Sequence, residues 1–296
     1  MTLEQLRIFL KVAELQHVTR AAEALNMTQS AVSAAVSGLE QRHGVALFDR
    51  VGRGIVLTES GRRFVPHARR VVQRATEAEA FLIDLERDIA GTLRIQASQT
   101  VASYFLPGYL MRFQANYPKV VVKFAQGNTA SVLEAVISGA ADIGVVEGYV
   151  SNPAIEVRPV ADDRMCLLVG RAHPWADRCA LSATDLAQAN WVMRERGSGT
   201  RAAFDEAMTA LGVCAADLSV LLELPSNEAC IAAVQAGIGA TALSQRAARH
   251  HIAQAVVSEA GFTLPARDFS VIRHRERHQS RAAQAFSALV SNDMNS

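Results

Sequence analysis

The 296-residue chain is poor in several things, and each absence excludes a class. It has no run of about 18 apolar residues free of charge, so no membrane-spanning helix is expected. Met1 to Phe9 has no basic cluster followed by an apolar stretch, so no secretory signal is expected. Cysteine is scarce: Cys166, Cys179, Cys214 and Cys230 show no CxxC or other metal-like spacing. Reduced thiols in a cytoplasmic protein are expected, not disulfides or a metal site. No HExxH, GxSxG or GxGxxG motif occurs, and the histidines are scattered. His250-His251 reads as surface. Nothing assembles a nucleophile, a base and an oxyanion donor, so neither an enzyme nor a cofactor is expected. Low-complexity tracts and repeats are missing too. Charge of one sign is also lacking, with 30 basic against 29 acidic side chains.

What is present is enough for about two domains: half of the residues are apolar. The charge is uneven locally. Between Arg42 and Arg74 eight arginines face only Asp49 and Glu59. Such density is the footprint of a polyanionic partner.

This basic stretch lies behind a small helical head. Leu3, Leu6, Phe9, Leu10 and Ala13 recur at helical spacing. Thr19 is expected to cap a short helix over 20–25, and Thr28 a third over 29–42, closed by Gly44. On the third helix Val32, Ala35, Val36 and Leu39 form the apolar stripe. Gln29, Ser30, Ser33 and Ser37 point elsewhere. Two short helices across a tight turn make a helix-turn-helix, whose second helix enters the major groove of duplex DNA. Residues 47–58 then read as a hairpin wing around Gly52-Arg53-Gly54. The candidate DNA contacts are Thr19, Thr28, Gln29, Ser30, Ser33 and Ser37, with Arg50 and Arg53 for phosphates or the minor groove. Thr58-Glu59 opens a long helix on which Phe64, Ala68, Val71, Ala75, Ala78, Leu82, Leu85 and Ile89 form a narrow seam. A narrow seam implies a partner helix, most simply from a second copy. Pro66 is expected to bend the helix near its start, and Gly91 to end it.

Residues 1–90 resemble the N-terminal region of LysR-type transcriptional regulators. The match runs through Thr19-Arg-Ala-Ala-Glu-Ala-Leu25, Thr28-Gln-Ser-Ala-Val-Ser33, Leu39-Glu40, Gly44-Val-Ala-Leu-Phe-Asp-Arg50 and Leu57-Thr-Glu-Ser-Gly61. The resemblance implies an all-α winged helix-turn-helix and a dimerising linker helix. It further implies a periplasmic-binding-protein-like effector domain of two α/β subdomains, usually within a homotetramer. Ala34-Ala35 follows Ser33 where the family often has a larger polar side chain, so base readout is expected to be sparse and DNA shape more important.

The remaining chain alternates strands and helices, as a parallel sheet flanked by helices would. Strands are expected over 93–97, 120–124, 142–146, 165–169, 191–193, 219–224, 240–243 and 269–273. Helices are expected over 101–116, 131–138, 186–189, 202–211, 228–236 and 280–290. The domains are therefore 1–58 for DNA binding, 59–90 as linker, and 91–296 as an α/β effector domain. Its first subdomain holds 91–161 and 267–296, its second 162–266. Ligands of open α/β sheets bind beyond the carboxyl ends of strands. Ser98, Thr100, Asn128, Thr129, Glu147, Arg194, Ser198, Gly199, Thr200 and Asn227 fall there. Hydroxyls and glycines at helix starts offer free N–H groups to an anion, and Arg194, Arg196 and Arg201 add charge. For any one hydroxyl a helix cap is the simpler reading; it is the convergence of turns that favours a site. Arg-Glu-x-Gly-Ser-Gly-Thr-Arg and Val-Val-Glu147-Gly are similar to the LysR subgroup linked to sulfur and other inorganic nutrients. That resemblance suggests sulfite, sulfate, phosphate or a small carboxylate as effector. Glu147 would then orient an arginine or accept a proton from the ligand. The expected partners are promoter DNA, a small anionic effector and further copies of the chain, with no membrane. An anion-handling enzyme fused to a helix-turn-helix is the alternative.

Overall fold

The computed structural model describes residues 1–51, 54–84, 89–177, 180–237 and 239–291. The chain forms two units, Met1–Leu85 and Glu86–Ser296.

In the first unit each helix starts on a polar cap. Thr2 and Gln5 make a reciprocal capping box at the start of α1 (Leu3–Leu15). The second helix, α2 (Val18–Leu25), begins earlier than the sequence suggests. His17, in extended backbone, accepts from Arg20 N at 3.4 Å, so Thr19 lies inside the first turn and is not the cap. Asn26 closes α2 in the left-handed region, and Thr28 caps α3 (Gln29–His43) by accepting from Ala31 N at 3.2 Å. Strands β1 (Phe48–Val51) and β2 (Gly54–Leu57) pair antiparallel as the wing. Glu40, on α3, accepts from Leu47 N at 2.7 Å and Phe48 N at 3.1 Å, clamping the wing to the helix.

The long helix α4 (Glu59–Asp84) runs through Pro66. Its first turns do not belong to an intermolecular seam: Ala68 is buried in the head core, and Phe64 stacks 5.2 Å from Phe9. Phe9 is fully buried, and this helix supplies part of its surroundings. Further along, Val71 and Leu82 are exposed. Leu85 lies outside the described residues. Ile89 packs on the core of the second unit and belongs to no helix.

The second unit runs β3 (Gly91–Ser98), α5 (Gln99–Tyr104), α6 (Leu106–Asn116), β4 (Val120–Gly127), α7 (Thr129–Ser138), β5 (Ile143–Glu147) and β6 (Ile155–Asp163). It continues through β7 (Met165–Gly170), α8 (Ala183–Gln188), β8 (Asn190–Arg194), α9 (Gly199–Ala210), β9 (Ser219–Leu224) and α10 (Asn227–Gln235). It ends with β10 (Ala240–Ser244), α11 (Gln245–Ala253), β11 (Val257–Ala260), β12 (Arg267–His274) and α12 (Arg281–Ser291). One sheet has the order β4-β3-β5-β12-β6, the other β11-β7-β10-β8-β9.

Several expectations need correction. The sheets are mixed: β12 runs antiparallel to β5 and β6, and β7 antiparallel to β10 and β11. Gly91 opens β3 rather than closing a helix. The helix expected over 101–116 breaks at Phe105, because Pro107 in the first turn of α6 cannot continue a helix from before it. Strands β6 and β11 were not expected. β6 contains Pro159, a residue that argues against a central strand. It sits at a sheet edge, where the pairing with β12 skips a residue opposite Phe269 and Ser270. Each sheet has its own core. Phe113, Phe269 and Phe286 fill the first, and Trp191 with Phe204 the second. Among the described residues no helix is long and apolar enough to cross a membrane, and no cluster could hold a metal ion.

Candidate functional site

In the head the capped start of α3 is the open face. Thr28, Gln29, Ser30, Ala34 and Ser37 are exposed, and Ser33 is half-buried beside them. Thr28 Oγ1 lies 3.1 Å from Ser30 Oγ. Ser30, Ala34 and Ser37 share one side of the helix, opposite buried Val32, Val36 and Leu39. Arg50 is exposed on β1; Arg53 lies outside the described residues. Thr19 is half-buried and stands on the preceding helix. A small, polar, uncrowded helix face with a hairpin beside it has the shape of a major-groove reader.

In the second unit the carboxyl ends of β3, β5 and β8, and the turns after β4 and β9, bring residues of both sheets into one buried network. Ser98, Thr100, Thr129, Glu147, Arg194, Ser198, Gly199, Thr200 and Asn227 are all buried. Glu147 is the acceptor at its centre. Ser98 Oγ donates to one carboxylate oxygen; Thr100 Oγ1 and Thr200 Oγ1 each approach the other at 3.4 Å. Thr129 Oγ1 donates to the Glu147 carbonyl at 3.1 Å. Ser98 stands at the cap position of α5 yet makes no cap bond, because its hydroxyl is turned to Glu147. By contrast, Asn128 and Ser198 are caps, accepting from Ser131 N and Thr200 N. At Gly199 the loops of the two sheets approach closely: a Cβ there would overlap the Glu147 carbonyl and Thr129 Oγ1.

The arginines behave differently from expectation. Arg194 spends all five N–H groups internally. Its partners are Glu195 through Nε and Nη2, Gln99 Oε1 at 3.2 Å, Asn227 Oδ1 at 2.9 Å and the Pro225 carbonyl at 3.3 Å. Arg201 bonds Asp205, one turn along α9, and reaches back to the Arg194 carbonyl, while Arg196 is exposed. Among the described residues Glu147 bonds no arginine directly; Arg267 reaches it through one hydroxyl, its Nη1 donating to Thr200 Oγ1 at 3.0 Å. Arg267 pairs in turn with buried Asp163, whose other oxygen accepts from Ser244 Oγ at 2.6 Å. Sequence reasoning missed Asp163, Ser244 and Arg267. The subdomain bounds expected at 161/162 and 266/267 fall beside Asp163 and Arg267, and nothing in the sequence singled out Ser244.

At the rim Gln99 Nε2 donates to Glu228 at 2.9 Å, and Tyr104 OH donates to the other oxygen of the same carboxylate. Burial, and then Glu228 itself, push the Tyr104 phenol far above its ordinary range. For Glu228, burial raises the pKa. The bonds from Tyr104, its own backbone N–H and Ser226, with the charge of Arg194, outweigh that and lower it.

A DNA-reading head joined to a two-sheet binding unit defines a ligand-responsive transcriptional regulator. The chain belongs to the LysR family: residues 3–62 match the bacterial regulatory helix-turn-helix protein of the lysR family, and residues 86–295 the LysR substrate binding domain. It is accordingly a transcriptional regulator rather than an enzyme. It is similar to the HTH-type transcriptional regulator YeiE of Escherichia coli K12, 35% identical over 287 residues, 96% of this chain and 95% of that one. Its fold is similar to CbnR complexed with its target DNA, at TM-score 0.69 and 21% identity, covering 98% of this chain and 99% of that one. The regulatory domain of Synechocystis CcmR in complex with 2-PG has TM-score 0.62 and 26% identity, covering 69% of this chain and 99% of that domain.

Proposed function

We propose that this regulator binds promoter DNA through α3 and the wing, and that a small anion, an oxyanion or a carboxylate, controls that binding from the cleft between the two sheets. The observation that carries the effector reading is the convergence of strand ends from both sheets. Their hydroxyls and helix starts meet in one buried polar network around Glu147. That the CcmR domain was solved with 2-PG and CbnR with its target DNA supports both halves of the proposal. The exposed apolar residues of α4 serve to pair two copies, and the pairs assemble as a homotetramer. Effector binding changes the closure between the sheets and thereby the setting of the paired heads on DNA; it shifts that balance only by its differential affinity for the two arrangements.

The test is a thermal-shift screen of the purified protein against small oxyanions and carboxylates, followed by promoter binding with the hit present. A hit that raises Tm and alters promoter affinity is expected. No shift with any anion overturns the effector assignment. Arg53→Ala is expected to weaken binding to all sequences and to flatten the salt dependence by about one contact's worth. An unchanged slope removes Arg53 from the DNA contacts.

A further inference from the structure

Two buried groups with opposite demands meet at one hydroxyl, that of Thr200. Glu147 is 1% exposed and only accepts: the hydroxyls of Ser98, Thr100 and Thr200 close on its two oxygens. Arg267, 7% exposed, only donates. Its Nε is bound to Asp163 and its Nη1 to Thr200. Its Nη2 lies 2.9 Å from the Asp163 oxygen but out of line with it, so those buried N–H groups have no hydrogen-bond acceptor. A single hydroxyl, that of Thr200, stands between the cation and the carboxylate. The other charged side chains around this point are engaged elsewhere: Arg194 with Glu195, and Glu228 with Gln99 and Tyr104. From the remaining elements the site is faced by Thr129 of α7 and Asn227 of α10, both uncharged, and by Asp163 of β6, which is held by Ser244 and Arg267 and has the partly exposed Arg246 of α11 3.7 Å from its Oδ1.

An anion entering here meets the unspent donors of Arg267. If it is fully ionised, it also turns lone pairs toward Glu147 in a place with little water to separate them. An anion that keeps one hydroxyl donates it to Glu147 and gives its charge to Arg267, satisfying both groups. From this we infer that the effector is an oxyanion still carrying one proton near neutral pH, of the kind represented by hydrogen phosphate and hydrogen sulfite. Fully deprotonated anions of the same size, such as sulfate and selenate, are rejected. The inference rests on the reading of the cleft as an anion site and adds which anions it selects. Sites built to hydrogen-bond a ligand hydroxyl discriminate strongly against the analogue without it, because the buried acceptor is left unpaired.

The experiment is titration of the full-length protein at pH 7 with inorganic phosphate, sulfite, sulfate, selenate, acetate and formate, read by calorimetry and thermal shift. Phosphate or sulfite is expected to bind at least about 100-fold more tightly than sulfate and selenate. In Glu147→Gln, whose amide can donate, the ratio is expected to fall below about tenfold, with sulfate gaining affinity. Sulfate or selenate within about tenfold of phosphate and sulfite in the unmodified protein overturns the inference, a result that needs no variant. An unchanged ratio in a folded Glu147→Gln protein overturns it too. Binding of acetate or formate alone overturns the proton-based selection while leaving the anion site standing. Binding of none of the six overturns both.

Discussion

Thr200 joins the two ends of the cleft chemistry, receiving Arg267 and donating to Glu147. Thr200→Val keeps the shape but leaves a buried guanidinium N–H without an acceptor, at a cost of about 1–3 kcal/mol. The variant is expected to lose the effector-induced rise in Tm while still binding promoter DNA. A variant that loses DNA binding as well would contradict two separable sites. The cysteines give a second test at this scale. Burial raises the Cys230 thiol to about 11 and the Cys166 thiol further, so neither forms thiolate near neutral pH. Cys214 is exposed. In a Cys179→Ser background, maleimide at pH 7.5 is expected to label Cys214 within minutes. Cys166 and Cys230 should label only in denaturant, as followed by peptide mass.

Among the elements, those with a local signature were legible in the sequence. α3 announces itself through Thr28, its alternating stripe and Gly44, and the structure starts and stops it within a residue of those marks. β6 hid because Pro159 and its exposed charged residues are tolerated only at an edge, and edge position is a property of the sheet, not of the segment. The seam read along the long helix does not hold at either end: Phe64 and Ala68 belong to the head core, and Ile89 lies beyond α4 on the core of the second unit. Spacing alone cannot tell whether Phe64 and Ala68 face a second copy or the chain's own Phe9. In the cleft, the residues at strand ends followed from the fold rule. Arg267 and Asp163 did not, because their importance comes from facing each other across β12 and β6. Two predictions belong here. Glu40→Ala removes the acceptor for two wing amides and is expected to destabilise the head by about 1–3 kcal/mol in denaturant titration. Leu82→Asp, at a position 65% exposed on α4, is expected to shift the protein toward monomer in analytical ultracentrifugation and to weaken promoter binding. An unchanged sedimentation profile would assign pairing to another surface.

For the molecule as a whole, the cleft is bridged at its rim by Gln99 and Tyr104 from one side and Glu228 from the other. Because the Glu228 carboxyl is lowered from 4.5, the bridge stabilises fully above the ordinary carboxylate range and fades as pH falls through the lowered value. Its exposure keeps the effect modest. The Tm-against-pH curves of the unmodified protein and Tyr104→Phe are therefore expected to separate at pH 6 and to converge under acid; parallel curves would deny the bridge. Deeper in, the loops of the two sheets touch with no side chain between them at Gly199. One added methyl group would act as a wedge. If the proposed closure of the two sheets controls the promoter, Gly199→Ala is expected to hold the jaws parted, so that promoter binding persists but no longer changes when effector is added, and the expression level it leaves tells which state the parted form represents.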